Sequence, residues 1–211
     1  ATALEQLKMQ LTNITTRQQT LLDETSQWRD SGTSLLRPAE MAPAQQRLAD
    51  ETKAAREQLP IPKAFEFGMK SVEAIMGEAT EQLKLHTPDE RVERLQSRSL
   101  SRLQQLLAAL TSPAAPDDDT AANQGTPNGG DDPHAGSSAD QKPSLSLEEL
   151  RLLHAMQIDI YERTVALEML RQDGGALGDD DKQELHRLAT EQGELAELLI
   201  EAMPPDDVLE P

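Results

Sequence analysis

The sequence predicts an all-α protein built from antiparallel helical hairpins that pack as a bundle along coiled-coil-like heptad seams. Ala, Leu, Glu, Gln and Arg dominate the 211 residues, and Trp28, Phe65, Phe67 and Tyr161 are the only aromatic residues. That is the composition of helices packed by aliphatic side chains rather than of sheets. Apolar residues recur at alternating spacings of three and four, and prolines and glycines divide the chain into helix-length pieces.

Leu7, Leu11, Ile14, Gln18, Leu21, Thr25 and Trp28 predict a first helix from about Leu4 to Trp28, with two polar interruptions in its seam. Ser31, Gly32 and Thr33 end it. Pro38 and Pro43 lead into a second helix with its body at Gln45 to Leu59, which Pro60 and Pro62 stop by removing donors and disfavouring the helical conformation before each. Phe65, Met69, Val72, Met76, Ala79 and Leu83 carry a third helix from about Lys63 to His86. Thr87-Pro88-Asp89-Glu90 has the form of a capping box with proline first in the helix, and opens a fourth helix carrying Val92, Leu95, Leu103, Leu106, Leu107 and Leu110. From Pro113 to Pro143 little remains beyond Asp, Gly, Asn, Pro, Ser and alanine, too little apolar surface to offset ordering entropy. Ser146 and Glu149 form a second capping box for a helix from Leu147 to about Gln172, and a last helix runs from Asp179–Asp181 to about Met203.

These elements divide the chain into a helical bundle of two hairpins at 1–112, an acidic linker at 113–144, a second hairpin at 145–203 and an acidic tail at 204–211. The two outer hairpins align. At an offset of 139, Leu11, Ile14, Gln18, Leu21, Thr25 and Trp28 fall on Leu150, Leu153, Gln157, Ile160, Thr164 and Leu167. At an offset of 140, Arg47, Leu48, Ala49 and Glu51 fall on Arg187, Leu188, Ala189 and Glu191. A duplicated helix-loop-helix unit predicts such a match, and amphipathicity alone would not select its polar members. Gln18, Thr25 and Arg47, with Gln157, Thr164 and Arg187, are therefore the candidate interaction residues. The internal companion of the first copy is the hairpin from Lys63 to Leu110. The second copy must dock on that bundle, associate with another chain, or hang from the linker as a loose hairpin.

Net charge is −18 and uneven: residues 1–111 carry 15 acids and 14 bases, and residues 145–211 carry 17 and 5. Such a field repels phosphate backbones, so nucleic acid and anionic membranes are unsuitable partners. Solubility is the plain reading of the acidity, and an acidic docking surface the sharper one. Without cysteine there are no disulfides or thiolate sites. No apolar run approaches the ~20 residues of a membrane span. The chain starts at Ala1 with no signal peptide, which suits a processed protein or a piece of a longer one.

Catalytic patterns are absent. The residues three before His86, His134, His154 and His186 are Leu83, Asp131, Arg151 and Gln183, so the Glu-x-x-His pairs of a dinuclear bundle site are missing. His154 and His186 share a hairpin, but two surface histidines describe them better than two metal ligands. Asp117–Asp119 lacks the ligand alternation and distal Glu of a calcium loop. There is no nucleophile elbow and no phosphate loop. Met69 and Met76 read as core filling, and Asn13-Ile14-Thr15 is a glycosylation pattern inside a predicted helix. No cofactor and no metal is called for.

Paired helices of the form Gln-x-x-Leu-x-x-x-Thr followed by Arg-Leu-Ala-x-Glu-Gln, carried here by Gln18 to Thr25, Gln157 to Thr164 and HRLATEQGELAELL, resemble helical, low-complexity-linked regions of large exported or membrane-anchored proteins of planctomycete-type bacteria. The resemblance implies a cell-envelope location and no activity. The leading expectation is a non-enzymatic helical scaffold that contacts a protein partner or itself. The alternative is a ligand- or cation-sensing bundle whose tethered acidic hairpin docks more tightly as salt screens its self-repulsion.

Overall fold

The computed structural model describes residues 2–85, 88–111, 145–172 and 178–202, and among them forms six helices and no strand. They are α1 (Ala3–Ser31), α2 (Pro38–Gln58), α3 (Lys63–Leu85), α4 (Glu90–Thr111), α5 (Leu147–Gln172) and α6 (Asp179–Ala202). His86, Thr87, His134, Met203, the predicted linker at 113–144 and the predicted tail at 204–211 lie outside the described residues.

Helices α1 to α4 close into an up-and-down four-helix bundle in which consecutive helices pack on one another and α1 also packs on α4. The seam read from α1 is the buried one: Leu7, Leu11, Ile14, Gln18, Leu21 and Thr25 all face the core, joined by Phe65, Met69, Val72 and Met76 of α3 and Leu103 and Leu106 of α4. Gly32, in the left-handed conformation at φ 70°, caps α1 through its N–H to Trp28 O at 2.7 Å. The buried Glu24 carboxylate accepts from the N–H groups of Leu35 (2.6 Å) and Leu36 (3.1 Å), which pins the turn into α2.

Two helix starts differ from the expectation. Helix α2 begins at Pro38, more than a turn before the predicted body, and carries Pro43 inside it. Pro43 is exposed, so the bond it cannot donate is lost at a solvent-facing position, while Met41 and Ala42 beside it are buried. Burial of that first turn outweighs one missing hydrogen bond. Helix α4 begins at Glu90, after the proline, and its cap is Asp89, whose Oδ1 accepts from Val92 N at 2.9 Å.

Two glycines in α3 set a test of packing against propensity. A Cβ on Gly68 would lie 2.9 Å from Cδ2 of Leu106, whose side chain is fully buried, whereas a Cβ on Gly77 would meet nothing within 4 Å. Gly77→Ala is expected to stabilise the protein by up to about 1 kcal/mol through helix propensity. Gly68→Ala is expected to lose stability, because overpacking costs about 1–3 kcal/mol and exceeds that gain. Urea denaturation of the two variants checks the opposite signs.

Helices α5 and α6 form a hairpin. Helix α5 lies on α4 and α3, and α6 packs on α5. Predicted limits and cap hold for α5: Ser146 Oγ accepts from Glu149 N (3.2 Å) and the Glu149 carboxylate accepts from Ser146 N (3.0 Å). Leu152, Leu153, Met156 and Ile160 of α5, with Leu188 and Leu195 of α6, extend the core of the bundle into the hairpin.

Candidate functional site

The hairpin has two faces of different chemistry. Its inner face carries carboxylates among leucines: on α6, Glu184, Leu188, Glu191 and Leu195 follow one another at spacings of four, three and four. Arginines on α4 and α5 meet those acids. Arg98 Nη1 lies 2.7 Å from Glu184 Oε2 and its Nη2 3.5 Å from Glu191 Oε2. Arg102 binds Glu191 directly and reaches Asp159 Oδ2 at 3.3 Å. Arg163 bonds Asp159 at 3.1 Å, pairs directly with Glu184 and lies 3.8 Å from Glu191.

Arg102 is 2% and Glu191 6% exposed, so these charges have left water. Burial pulls Arg98 down to about 9, reinforced by repulsion from the Arg163 and Arg187 guanidiniums and opposed by Glu191 and Asp159. Burial likewise lowers Arg102 and Arg163. The Arg98 Nε is buried with no hydrogen-bond partner. The three guanidiniums face three carboxylates, those of Asp159, Glu184 and Glu191. Further out, Arg187 Nη2 joins Glu78 of α3 at 2.5 Å, Arg91 joins Asp180 at 2.7 Å, and Lys63 pairs with Glu201.

Each such pair needs one relative placement of hairpin and bundle, so the network fixes register. Five acids of the hairpin, Asp159, Asp180, Glu184, Glu191 and Glu201, are thus met by cations of the bundle. The clefts beside the network, about 770 Å³ between α4 and the hairpin and about 640 Å³ between α3 and α6, are lined by acids and bases together. Neither has the sign preference of an ion-binding pocket.

The outer face is apolar and exposed among the described residues. Leu147 and Leu150 are each 43% exposed, Ile158 43%, Tyr161 66% and Met169 61%; with His154 and Val165 they make one stripe on α5 at spacings of three and four. Leu185, Leu199 and Ile200 add exposed apolar surface on α6. Between the helices Gln157 and Gln192 exchange amide hydrogen bonds at 3.0 and 3.2 Å.

The six candidate interaction residues are not brought together. Gln18 and Thr25 lie inside the bundle, with Thr25 bonded to Leu21 O at 2.9 Å. Arg47 is exposed, its Nε on Pro43 O at 3.2 Å. Gln157 and Thr164 are exposed on α5, and Arg187 joins α6 to α3. In the first hairpin Gln18 exchanges amide bonds with Gln45 at 3.4 and 2.9 Å, whereas Gln157 pairs with Gln192, which the alignment sets opposite Thr52. The two glutamine pairs therefore occupy registers about two turns apart. Sequence reasoning misses the arginine cluster. The signal for it is the α6 seam, where acids alternate with leucines and require cations from a facing helix.

Among the described residues no group of three or more His, Cys, Asp or Glu is placed to hold a metal, and no helix is long and apolar enough to cross a membrane. No family model, no curated protein and no solved structure matches the chain.

Proposed function

We propose that the chain is a helical interaction module, a scaffold in which the α1–α4 bundle holds the α5–α6 hairpin in a fixed register so that the outer face of the hairpin receives another helical surface. The observation that carries this reading is the exposed stripe of Leu147, Leu150, Ile158, Tyr161 and Met169. Large contiguous apolar patches mark interaction sites on soluble domains. The inner network supports the same reading, because a surface held rigidly loses less entropy on binding. A place in the cell envelope, implied by the sequence resemblance, belongs to this proposal.

A photo-crosslinking residue at Tyr161, compared with one at the exposed Asp23 of α1, tests it in the cells that make the protein. A discrete protein adduct from position 161, lost on Ile158→Glu and absent from position 23, is expected. No adduct, or equal labelling from both positions, would sink the reading.

A further inference from the structure

We infer that the groove between α5 and α6 on the outer face of the hairpin receives a partner helix through a carboxamide, glutamine or asparagine, set in that helix's leucine seam; this rests on the interaction reading above and names the partner's chemistry. The bundle holds the completed form of such a contact. Gln18 of α1 and Gln45 of α2 exchange amide hydrogen bonds at 3.4 and 2.9 Å, and α4 closes the pair with Gln96, whose Nε2 donates to Gln45 Oε1 at 3.1 Å. Leu11 and Thr25 lie one heptad to either side of Gln18, Leu103 lies one heptad beyond Gln96, and all of them are buried.

The hairpin repeats two parts of this layer and lacks the third. Gln157 of α5 and Gln192 of α6 exchange the same two bonds at 3.0 and 3.2 Å, and among the described residues no third amide reaches them. Leu150 and Thr164 lie one heptad to either side of Gln157, which repeats the Leu-Gln-Thr order of α1, and Leu185 and Leu199 flank Gln192 in the same way. With the helices antiparallel and Gln157 level with Gln192, Leu150 comes level with Leu199 and Thr164 with Leu185. Gln192 is partly exposed and the other five are exposed, so the groove offers an uncharged seam with one amide pair at its middle.

A reciprocal amide pair uses one N–H and one carbonyl lone pair of each group, and leaves one of each free. A carboxamide can both donate and accept there. A carboxylate can only accept and an ammonium can only donate, and either charge costs more to bury between leucines. A leucine would cover the free groups without satisfying them. Complementarity therefore selects a neutral amide, as the bundle does with Gln96.

Four synthetic helices with leucine along the seam and glutamine, leucine, glutamate or lysine at its centre are the probes, titrated with the full chain and followed by fluorescence anisotropy. The glutamine helix is expected to bind about tenfold tighter than the other three, the effect of leaving one covered polar group unpaired. In a chain carrying both Gln157→Leu and Gln192→Leu the order should reverse, with the leucine helix bound best and far-ultraviolet circular dichroism unchanged. An order that survives the double substitution, equal binding of all four helices, or binding of none would overturn the inference. So would a dimer of the chain, seen by sedimentation, that the double substitution abolishes, because a second copy would then fill the groove. An adduct from position 161 that persists in the doubly substituted chain leaves the interaction reading standing without the amide, and no adduct from the unsubstituted chain defeats both.

Discussion

Replacing Glu191 by Ala is expected to release the α5–α6 hairpin while the α1–α4 bundle stays folded. Three guanidiniums, those of Arg98, Arg102 and Arg163, converge on this one carboxylate. Without it, Asp159 and Glu184 must serve all three, and one positive charge remains uncompensated in a site nearly closed to water. Breaking a buried charge network by removing one partner costs about 3–5 kcal/mol. That loss falls on docking, because the bundle core of Leu7, Leu11, Phe65, Met69 and Leu103 does not include the site. Amide exchange in α5 and α6 should accelerate by about a hundredfold to several thousandfold, with α1 to α4 little changed.

Arg98→Met supplies the contrast. Arg98 is pulled down by burial and by repulsion from Arg163 and Arg187, and its Nε has no partner, so its removal relieves part of what it disrupts. Glu184 keeps Arg163 and Arg187. The substitution is expected to cost clearly less than Glu191→Ala. Equal costs would mean that the network acts as general packing and that no single charge organises it.

Local signals make most of the fold legible in the sequence. Six of the seven residues read as the α1 seam are buried and Trp28 is partly so, because heptad spacing and burial are two descriptions of one helix face. The start of α5 is likewise written locally, in a reciprocal cap. Local reading fails where a residue's state is decided far along the chain. Arg98 and Arg102 look like surface residues on α4, and Asp159, Glu184 and Glu191, more than fifty positions away, make their burial tolerable. The start of α2 escapes for the same reason, since burial of Met41 and Ala42 is set by neighbouring helices. Repeat alignment matches polar residues by type, but whether a glutamine is covered depends on what packs outside it. Gln18 is covered by α4, and Gln157 faces outward.

Gln45→Leu is expected to cost the bundle about 2–5 kcal/mol. Gln18, Gln45 and Gln96 form a fully buried amide layer from three helices, with Gln45 at its centre. Gln45 donates to Gln18 Oε1 at 2.9 Å and accepts from Gln18 Nε2 at 3.4 Å and Gln96 Nε2 at 3.1 Å. Leucine removes all three bonds and strands two primary amides in a dry core, each at about 1–3 kcal/mol. Gln96 Oε1 is already without a partner and Gln18 Nε2 also reaches Gln96 O at 3.5 Å, so re-pairing between Gln18 and Gln96 sets the lower end of that range. Replacing all three glutamines by leucine strands nothing, and should return stability to the wild-type value or above. If the layer fixes helix register, that triple variant will be stable to urea yet show broadened core resonances, because no directional contact then distinguishes one alignment of leucines from its neighbour. Sharp resonances with full stability would assign register to packing alone, and a loss below about 0.5 kcal/mol in the single variant would mean that water reaches the amides.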